Sequence, residues 1–239
     1  MCGNVTLSLQ FVRSRLLQAD FVFRKLLQSK PFPAETFETS IALCYTAKSI
    51  EALRRLAIMR LRPYKSCDAE TIAKWVQNED IFHKWGGDRF GSYPIDAKVI
   101  NDKYSLNNGD CAEPDNFYPW IAVDDDHRVV GHLIMRYTDG DPRRLRFGWV
   151  IVDDAVRGKG YGKQMLTLGV KYAFEILGAD TITIGVFENN EPAHRCYRKV
   201  GFTDHFVTES EPWNVVEMEM TKEKYNKEYF TFIKNSSDQ

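Results

Sequence analysis

Phe147-Gly148-Trp149-Val150-Ile151-Val152, and a little further on Arg157-Gly158-Lys159-Gly160-Tyr161-Gly162, are the residues on which the reading of this 239-residue chain turns. The first run is almost wholly apolar and reads as a strand buried on both faces. The second is a glycine-rich loop, and an amphipathic helix from Lys163 to Leu177 follows it directly. Strand, glycine loop and helix in that order present several backbone N–H groups and a helix N-terminus to an anion. The glycines let the main chain approach a phosphate without a Cβ in the way, and Arg157, Lys159 and Lys163 add positive charge. A pyrophosphate is the natural guest. Two familiar phosphate loops fail on spacing. The dinucleotide fingerprint G-x-G-x-x-G counted from Gly158 needs glycine at position 163, which is Lys163. A P-loop needs Ser or Thr after its lysine, and Lys163 is followed by Gln164.

Working outward, a second strand is expected over Thr181-Ile182-Thr183-Ile184-Gly185-Val186-Phe187. After it comes Asn190-Glu191-Pro192-Ala193-His194-Arg195-Cys196-Tyr197-Arg198-Lys199-Val200-Gly201-Phe202. The R-G-K-G-Y-G loop resembles the acetyl-CoA signature Q/R-x-x-G-x-G/A of the GCN5-related N-acetyltransferases (GNAT). The block N-x-x-A-x-x-x-Y-x-x-x-G-F is similar to the second landmark of that family. The region from Asp68 to Tyr137 looks most like its ribosomal-protein-acetyltransferase-like branch. The resemblance runs from about Ile58 to Met220 and leaves out the first 57 residues.

What this resemblance implies is an α/β (α+β) fold. Its six- to seven-stranded sheet is mixed and mostly antiparallel, with two splayed central parallel strands and flanking helices. The splayed strands would be Phe147–Val152 and Thr181–Phe187. Main-chain groups of Val150, Ile151 and Val152 would meet the pantetheine arm of acetyl-CoA. The N–H groups of Arg157, Gly158, Lys159, Gly160, Tyr161 and Gly162 would cradle its pyrophosphate, and Asn190 would reach the cofactor arm. The implied activity is an acetyl-CoA-dependent N-acetyltransferase acting on a small amine or a protein N-terminus by direct attack in a ternary complex. A second class stays open: a non-catalytic acyl-CoA sensor that signals through its N-terminal helices.

The chemistry needs a neutral amine, a donor for the tetrahedral oxyanion, and a proton for the leaving thiolate. Tyr197 stands where the family commonly has a tyrosine acid; it also reads as a core aromatic. For the base, the strand Phe147 to Val152 lacks the glutamate that many members carry. Glu188 is the first candidate and equally reads as a solvated carboxylate at a strand end. His132, among apolar neighbours, either holds a water near the amine or is a satisfied core histidine. A base acting through a water chain is also compatible. Trp85, Arg89, Phe90, Tyr93 and Trp120 supply aromatic walls and one charge for an acceptor pocket, or simply close the core. The loop at Trp213 is a weaker candidate for the same pocket.

Composition narrows the rest. Lys plus Arg (32) against Asp plus Glu (33) leaves a net charge of −1, which removes the electrostatic case for nucleic-acid or anionic-membrane partners. No run approaches the roughly 18 apolar residues of a spanning helix. The basic residues of the N-terminus follow its first apolar ones, the wrong order for a secretory signal. A soluble cytoplasmic protein is expected. The five cysteines are scattered without C-x-x-C spacing, so neither a metal site nor a disulfide framework is expected.

The chain divides into an N-terminal helical arm (1–57), the acetyltransferase domain (58–222) and a C-terminal tail (223–239). Leu9, Val12, Leu16, Ala19, Phe23 and Leu26 recur at helical spacing in the arm. The arm carries net +4 against −5 for the remainder, so docking on the domain or a homodimer through these helices is expected. Within the domain, Ile58 to Arg62 reads as a strand ending at Pro63, and Asp68 as the N-cap of a helix through Gln77. Residues Trp85 to Gly91 read as a glycine-rich loop, and Ile95 to Tyr104 as a helix. Tyr118 to Val123 and Val129 to Tyr137 read as a hairpin about Asp124-Asp125-Asp126, and Val215 to Met220 as the last strand.

Overall fold

A computed structural model of the protein describes residues 59–86, 89–109, 117–138 and 140–227. The expected arm over residues 1–57, with its docking or dimer contacts, lies outside the described residues, as does the tail beyond residue 227. Seven strands form a single mixed sheet. They are β1 (Arg60–Pro63), β2 (Phe117–Val123), β3 (Val129–Thr138), β4 (Asp141–Val152), β5 (Thr181–Phe187), β6 (Thr203–Thr208) and β7 (Val215–Thr221), in the spatial order β1-β2-β3-β4-β5-β7-β6. Every neighbouring pair is antiparallel except β4 and β5. This is the mixed, mostly antiparallel sheet with flanking helices that the two motifs imply.

The helices divide between the two faces. On one face lie α4 (Tyr161–Glu175) and α5 (Glu191–Val200). Met165, Leu166, Val170 and Phe174 of α4 meet Leu133, Met135, Leu145 and Phe147 of the sheet in the larger core. Gly169 permits the close approach, because a Cβ there would lie 3.1 Å from Met135 Cε and 3.2 Å from Phe147 Cε2. On the other face lie α1 (Ala69–Trp75), α2 (Glu79–Trp85) and α3 (Ala97–Gly109). Ile72, Phe82, Trp85, Ile100 and Tyr104 pack there against Phe117, Ile121, Ile134 and Ile151. Each fully buried side chain of this size contributes about 1.5–3 kcal/mol. The two cores weld sheet and helices from both sides.

Local chemistry differs from expectation at several points. The Asp68 side chain makes no cap bond to α1. Its two oxygens instead accept from the Arg62 guanidinium at 2.7 Å each, and one also accepts from Lys65 N–H at 2.8 Å. A buried carboxylate is better satisfied by a bidentate cation than by a single amide. The segment before Trp85 is helical, an element the reading of the sequence did not include. Asn78 caps it by accepting from Ile81 N–H, and Glu79 and Asp80 in its first turn suit the dipole. Strand β6 was not anticipated either: all six of its residues are exposed, so it carries no apolar alternation.

The end of α2 is tied to β4. Gly86 has φ +146°, and a Cβ there would lie 2.6 Å from Trp149 Cδ1 and 2.8 Å from Nε1. The Trp149 ring cannot easily retreat, since it stacks on Tyr104 (centroids 5.5 Å, planes 3° apart) and touches Phe90 at 4.8 Å. Gly86→Ala is therefore expected to cost about 1–3 kcal/mol through overpacking and backbone strain, read as a lower urea midpoint with an unchanged slope.

Candidate active site

The parallel pair at the centre of the sheet separates part-way along. β4 and β5 are in register from Arg144 opposite Thr181 to Phe147 opposite Ile184, and the pairing stops there. β4 continues to Val152 and β5 to Phe187. Between the pairs Ile134–Gly148 and His132–Ile151, β4 carries one residue more than β3. Trp149, at φ +46°, occupies this bulge. A bulky residue in the left-handed region is strained and persists only where its surroundings hold it. Here the Trp85 indole Nε1–H donates to the Trp149 carbonyl at 2.8 Å, and the ring stack described above fixes the side chain.

One extra residue reverses which face each side chain meets. Before the bulge Leu145 and Phe147 lie in the α4 core. After it Ile151 lies in the opposite core, while Val150 and Val152 pack toward α4. This is why the strand expected to be buried on both faces is only half-buried from Gly148 to Val150. Its exposed side opens on a cleft of about 230 Å³ between β4 and β5, walled by Trp85, Arg89, Val150, Val186, Asn190 and Tyr197 among others.

At the C-terminal end of β4 the glycine loop takes the form its sequence predicts. Gly158 and Gly160 have φ +75° and +87°, and a Cβ at either would meet no atom within 4 Å. The space beside both glycines is open. Helix α4 starts at Tyr161, two residues before the expected Lys163, with Gly160 as a cap residue that has no side chain to offer. The first N–H groups of the helix therefore receive no side-chain cap, as an anion site requires. The Arg157 guanidinium donates to Val152 O at 3.3 Å and the Lys159 ammonium to Ala155 O at 2.9 Å, which holds both cations beside the loop.

Tyr197, on α5, is buried at 7% exposure in the larger core and also lines the cleft. Burial raises its phenol pKa, with the Cys196 thiol beside it adding to the effect, so the hydroxyl is held protonated at neutral pH. Asn190 lines the same cleft and caps α5 by accepting from Ala193 N–H at 3.4 Å. Glu188 is exposed just beyond β5, and its backbone N–H donates to Asn214 O; it does not line the cleft. No carboxylate or histidine lines this cleft among the described residues.

Of the six acceptor-pocket candidates, the structure brings Trp85 and Arg89 to the cleft. Phe90 lies outside its wall and stacks on Trp85 with centroids 4.6 Å apart. Tyr93 points elsewhere, its hydroxyl donating to Gln77 O at 2.9 Å. Trp120 is on the α4 face of the sheet against Tyr172, because alternation along β2 sends Phe117 and Ile121 to the other core. His132 is wholly buried between Tyr104 and Trp120. Burial lowers its pKa to about 4, so the ring is neutral. Nδ1–H then donates to Trp120 O at 2.8 Å, and Nε2 accepts from the Tyr104 hydroxyl at 2.5 Å. It is a satisfied core histidine. The cleft also contains Lys84, Arg136 and Arg146, which were not foreseen. The alternation Arg144-Leu145-Arg146-Phe147 was the available signal: a strand with one buried face and one cationic face.

With this geometry in view, comparison with known proteins is direct. A family model described as the acetyltransferase (GNAT) domain matches residues 59–203. The chain belongs to the GNAT family of N-acetyltransferases. It is 22% identical over 188 residues to an N-acetyltransferase 9-like protein of Caenorhabditis briggsae, covering 74% of this chain and 89% of that one. It is 32% identical over 91 residues to the SPbeta prophage-derived N-acetyltransferase YokL of Bacillus subtilis (strain 168). That match spans 38% of this chain and half the length of YokL. Spermidine N-acetyltransferase of Vibrio cholerae, solved with CoA and spermine, superposes with a TM-score of 0.58 at 20% identity, covering 70% of this chain and 97% of that one. The aminoglycoside acetyltransferase AAC(6')-Ib with ribostamycin and coenzyme A gives 0.59 at 20% identity, with 70% and 96% covered. These likenesses speak to the fold. Among the described residues no helix is long and apolar enough to cross a membrane, and no group of His, Cys, Asp or Glu is placed to hold a metal.

The buried histidine makes stability depend on pH. In the unfolded chain an imidazole takes up a proton below its ordinary value of 6.5, whereas folded His132 resists protonation down to about 4. Its contribution is therefore complete above pH 6.5 and drains away as the pH falls from there toward 4. Urea midpoints at pH 7 and pH 4.5 should differ more for the wild type than for His132→Gln.

Proposed function

We propose that this acetyltransferase binds acetyl-CoA along the β4–β5 cleft and transfers its acetyl group to a primary amine by direct attack in a ternary complex. The observation that carries this reading is the conjunction of three features. A glycine loop with open space beside Gly158 and Gly160 follows β4, the pairing of β4 with β5 ends at Phe147 and Ile184, and a protonated tyrosine lines the cleft between them. Residues Arg157 to Gly162 would hold the pyrophosphate through their N–H groups. Val150, Ile151 and Val152, displaced from pairing with β5, would present main-chain groups to the pantetheine amides, with Asn190 closing the other side. The structural neighbours, solved with coenzyme A and with the amines spermine or ribostamycin, support both the cosubstrate and the acceptor class.

In the reaction the neutral amine nitrogen attacks the thioester carbonyl carbon, and an N–H of β4 near the bulge stabilises the oxyanion. The carbon–sulfur bond breaks as Tyr197 gives its hydroxyl proton to the sulfur, yielding amide and free thiol. The amine proton leaves to water, and water returns a proton to the Tyr197 phenolate, so that no net proton is released. Glu188, exposed beyond β5, could receive the amine proton only by that route.

Gly160→Val is expected to abolish CoA binding in a folded protein, by strain at φ +87° and by placing methyl groups where the pyrophosphate would sit. Isothermal titration with CoA measures it, and unchanged affinity would remove the loop from the site. Tyr197→Phe should leave CoA affinity nearly as it is and lower kcat by roughly 10²–10⁴-fold, followed by thiol release with a panel of amines. Wild-type turnover in that variant would return Tyr197 to a packing role alone.

A further inference from the structure

Resting on that reading, we infer that Trp85 is a positioning residue for the transfer: its indole N–H aims and polarises the Val150 N–H, the donor that meets the thioester oxygen. Along a strand, residues turn their N–H and C=O groups to alternate sides. Ile151 faces β3, for it is paired with His132 and its carbonyl oxygen lies 3.3 Å from where a Cβ on Gly131 would be. Val150 and Val152 therefore face the other side, from which β5 has parted. The Val152 carbonyl accepts from Arg157, and Val150 lines the cleft. Of the residues after the bulge, Val150 is thus the first whose N–H is turned into the gap.

The Val150 N–H and the Trp149 C=O belong to one planar trans peptide and point in opposite directions. Whatever fixes the carbonyl fixes the aim of the N–H. At a bulge that task cannot be left to the strand, because the extra residue disrupts the ladder locally. The Trp85 indole takes it over with its 2.8 Å bond to the Trp149 carbonyl. This donor is itself held in place: Trp85 is 5% exposed, stacks on Phe90 with planes 12° apart, and ends α2. Packing alone asks only for an apolar ring; the indole adds its one N–H donor. Hydrogen bonds linked through one peptide also polarise one another. Charge developing on the thioester oxygen draws on the Val150 N–H, which makes the Trp149 carbonyl a stronger acceptor and tightens the bond from Trp85. The contact is thereby stronger in the transition state than in the resting enzyme, and an interaction of that kind raises kcat rather than binding.

Trp85→Phe keeps an aromatic ring and removes the donor. With the full chain, acetyl-CoA, and ethanolamine, glycinamide or spermidine as acceptor, kcat for each amine that is acetylated should fall about tenfold or more. KM for acetyl-CoA and for the amine should stay within about twofold, which loss of a mere wall contact would not allow. Ile100→Val loosens the same core without touching the bond; it should lower the melting temperature and leave kcat unchanged. In the wild type, the Trp85 indole proton resonance, assigned by its nearness to Phe90, should move downfield when CoA is exchanged for acetyl-CoA. The carbonyl stretch of bound, carbonyl-labelled acetyl-CoA should lie higher in Trp85→Phe than in the wild type. Unchanged kcat, a loss carried by KM, an equal loss in Ile100→Val, an equal stretch in both proteins, or an indole resonance that ignores the acetyl group would each overturn the inference. The wild-type resonance decides it even where Trp85→Phe does not fold. Acetyl-CoA that binds yet acetylates no amine fails the acetyl-transfer reading alone; the resonance and the stretch, which need no amine, still decide the role of Trp85. Failure to bind acetyl-CoA overturns both.

Discussion

A single extra residue in β4, Trp149 at φ +46°, is the constraint from which the site follows. A left-handed tryptophan is costly for the backbone, and the molecule holds it with an aromatic stack on Tyr104, contact with Phe90, and a hydrogen bond from Trp85 to its carbonyl. The small α-helical layer over that half of the sheet is therefore part of the site. It fixes the strain that reverses the side-chain alternation of β4, whose end stays paired with β3 and is parted from β5. Without the bulge, β4 and β5 could continue in parallel register to their ends, and the cleft would be sheet.

Upstream of that point the sheet behaves oppositely. Arg146 crosses Gly185 to Glu217 and links β4 to β7 over the intervening strand. The parallel pair is thus clamped where it is in register and released beyond it. Stability and access are assigned to successive stretches of the same two strands. The polarity of the site follows the same division. Backbone N–H groups and glycine lie at the released end, suited to a pyrophosphate, and guanidinium groups lie at the clamped end.

Much of this was legible in local sequence. The glycine loop, β5 and the block from Asn190 to Phe202 were readable because caps, turns and anion cradles are made by neighbours in the chain. Asn190 caps α5 as its position ahead of Glu191-Pro192 suggests. Other features resisted reading. The α2 helix is only Glu79–Trp85, too short to show a helical period, and β6 is exposed throughout. Asp68 looked like a helix cap and is the partner of Arg62, because the guanidinium comes from a strand that the helix signal does not include.

The amino-acid sequence alone determined the family and the order of strand, glycine loop and helix, since each depends on residue types at fixed short spacings. Tertiary structure alone decided which side of the sheet each strand residue meets. Trp120 and His132 had the composition of a pocket, yet pairing register sent the first to the α4 face and sealed the second between Trp120 O and the Tyr104 hydroxyl. Conversely, Arg136 and Arg146 stand ten residues apart in the chain, and only the β3–β4 register sets them opposite one another. The physical reason is the period of two: a strand's side chains alternate between faces. Partner strands and one bulge, none of them local to the residue concerned, decide which face is the site.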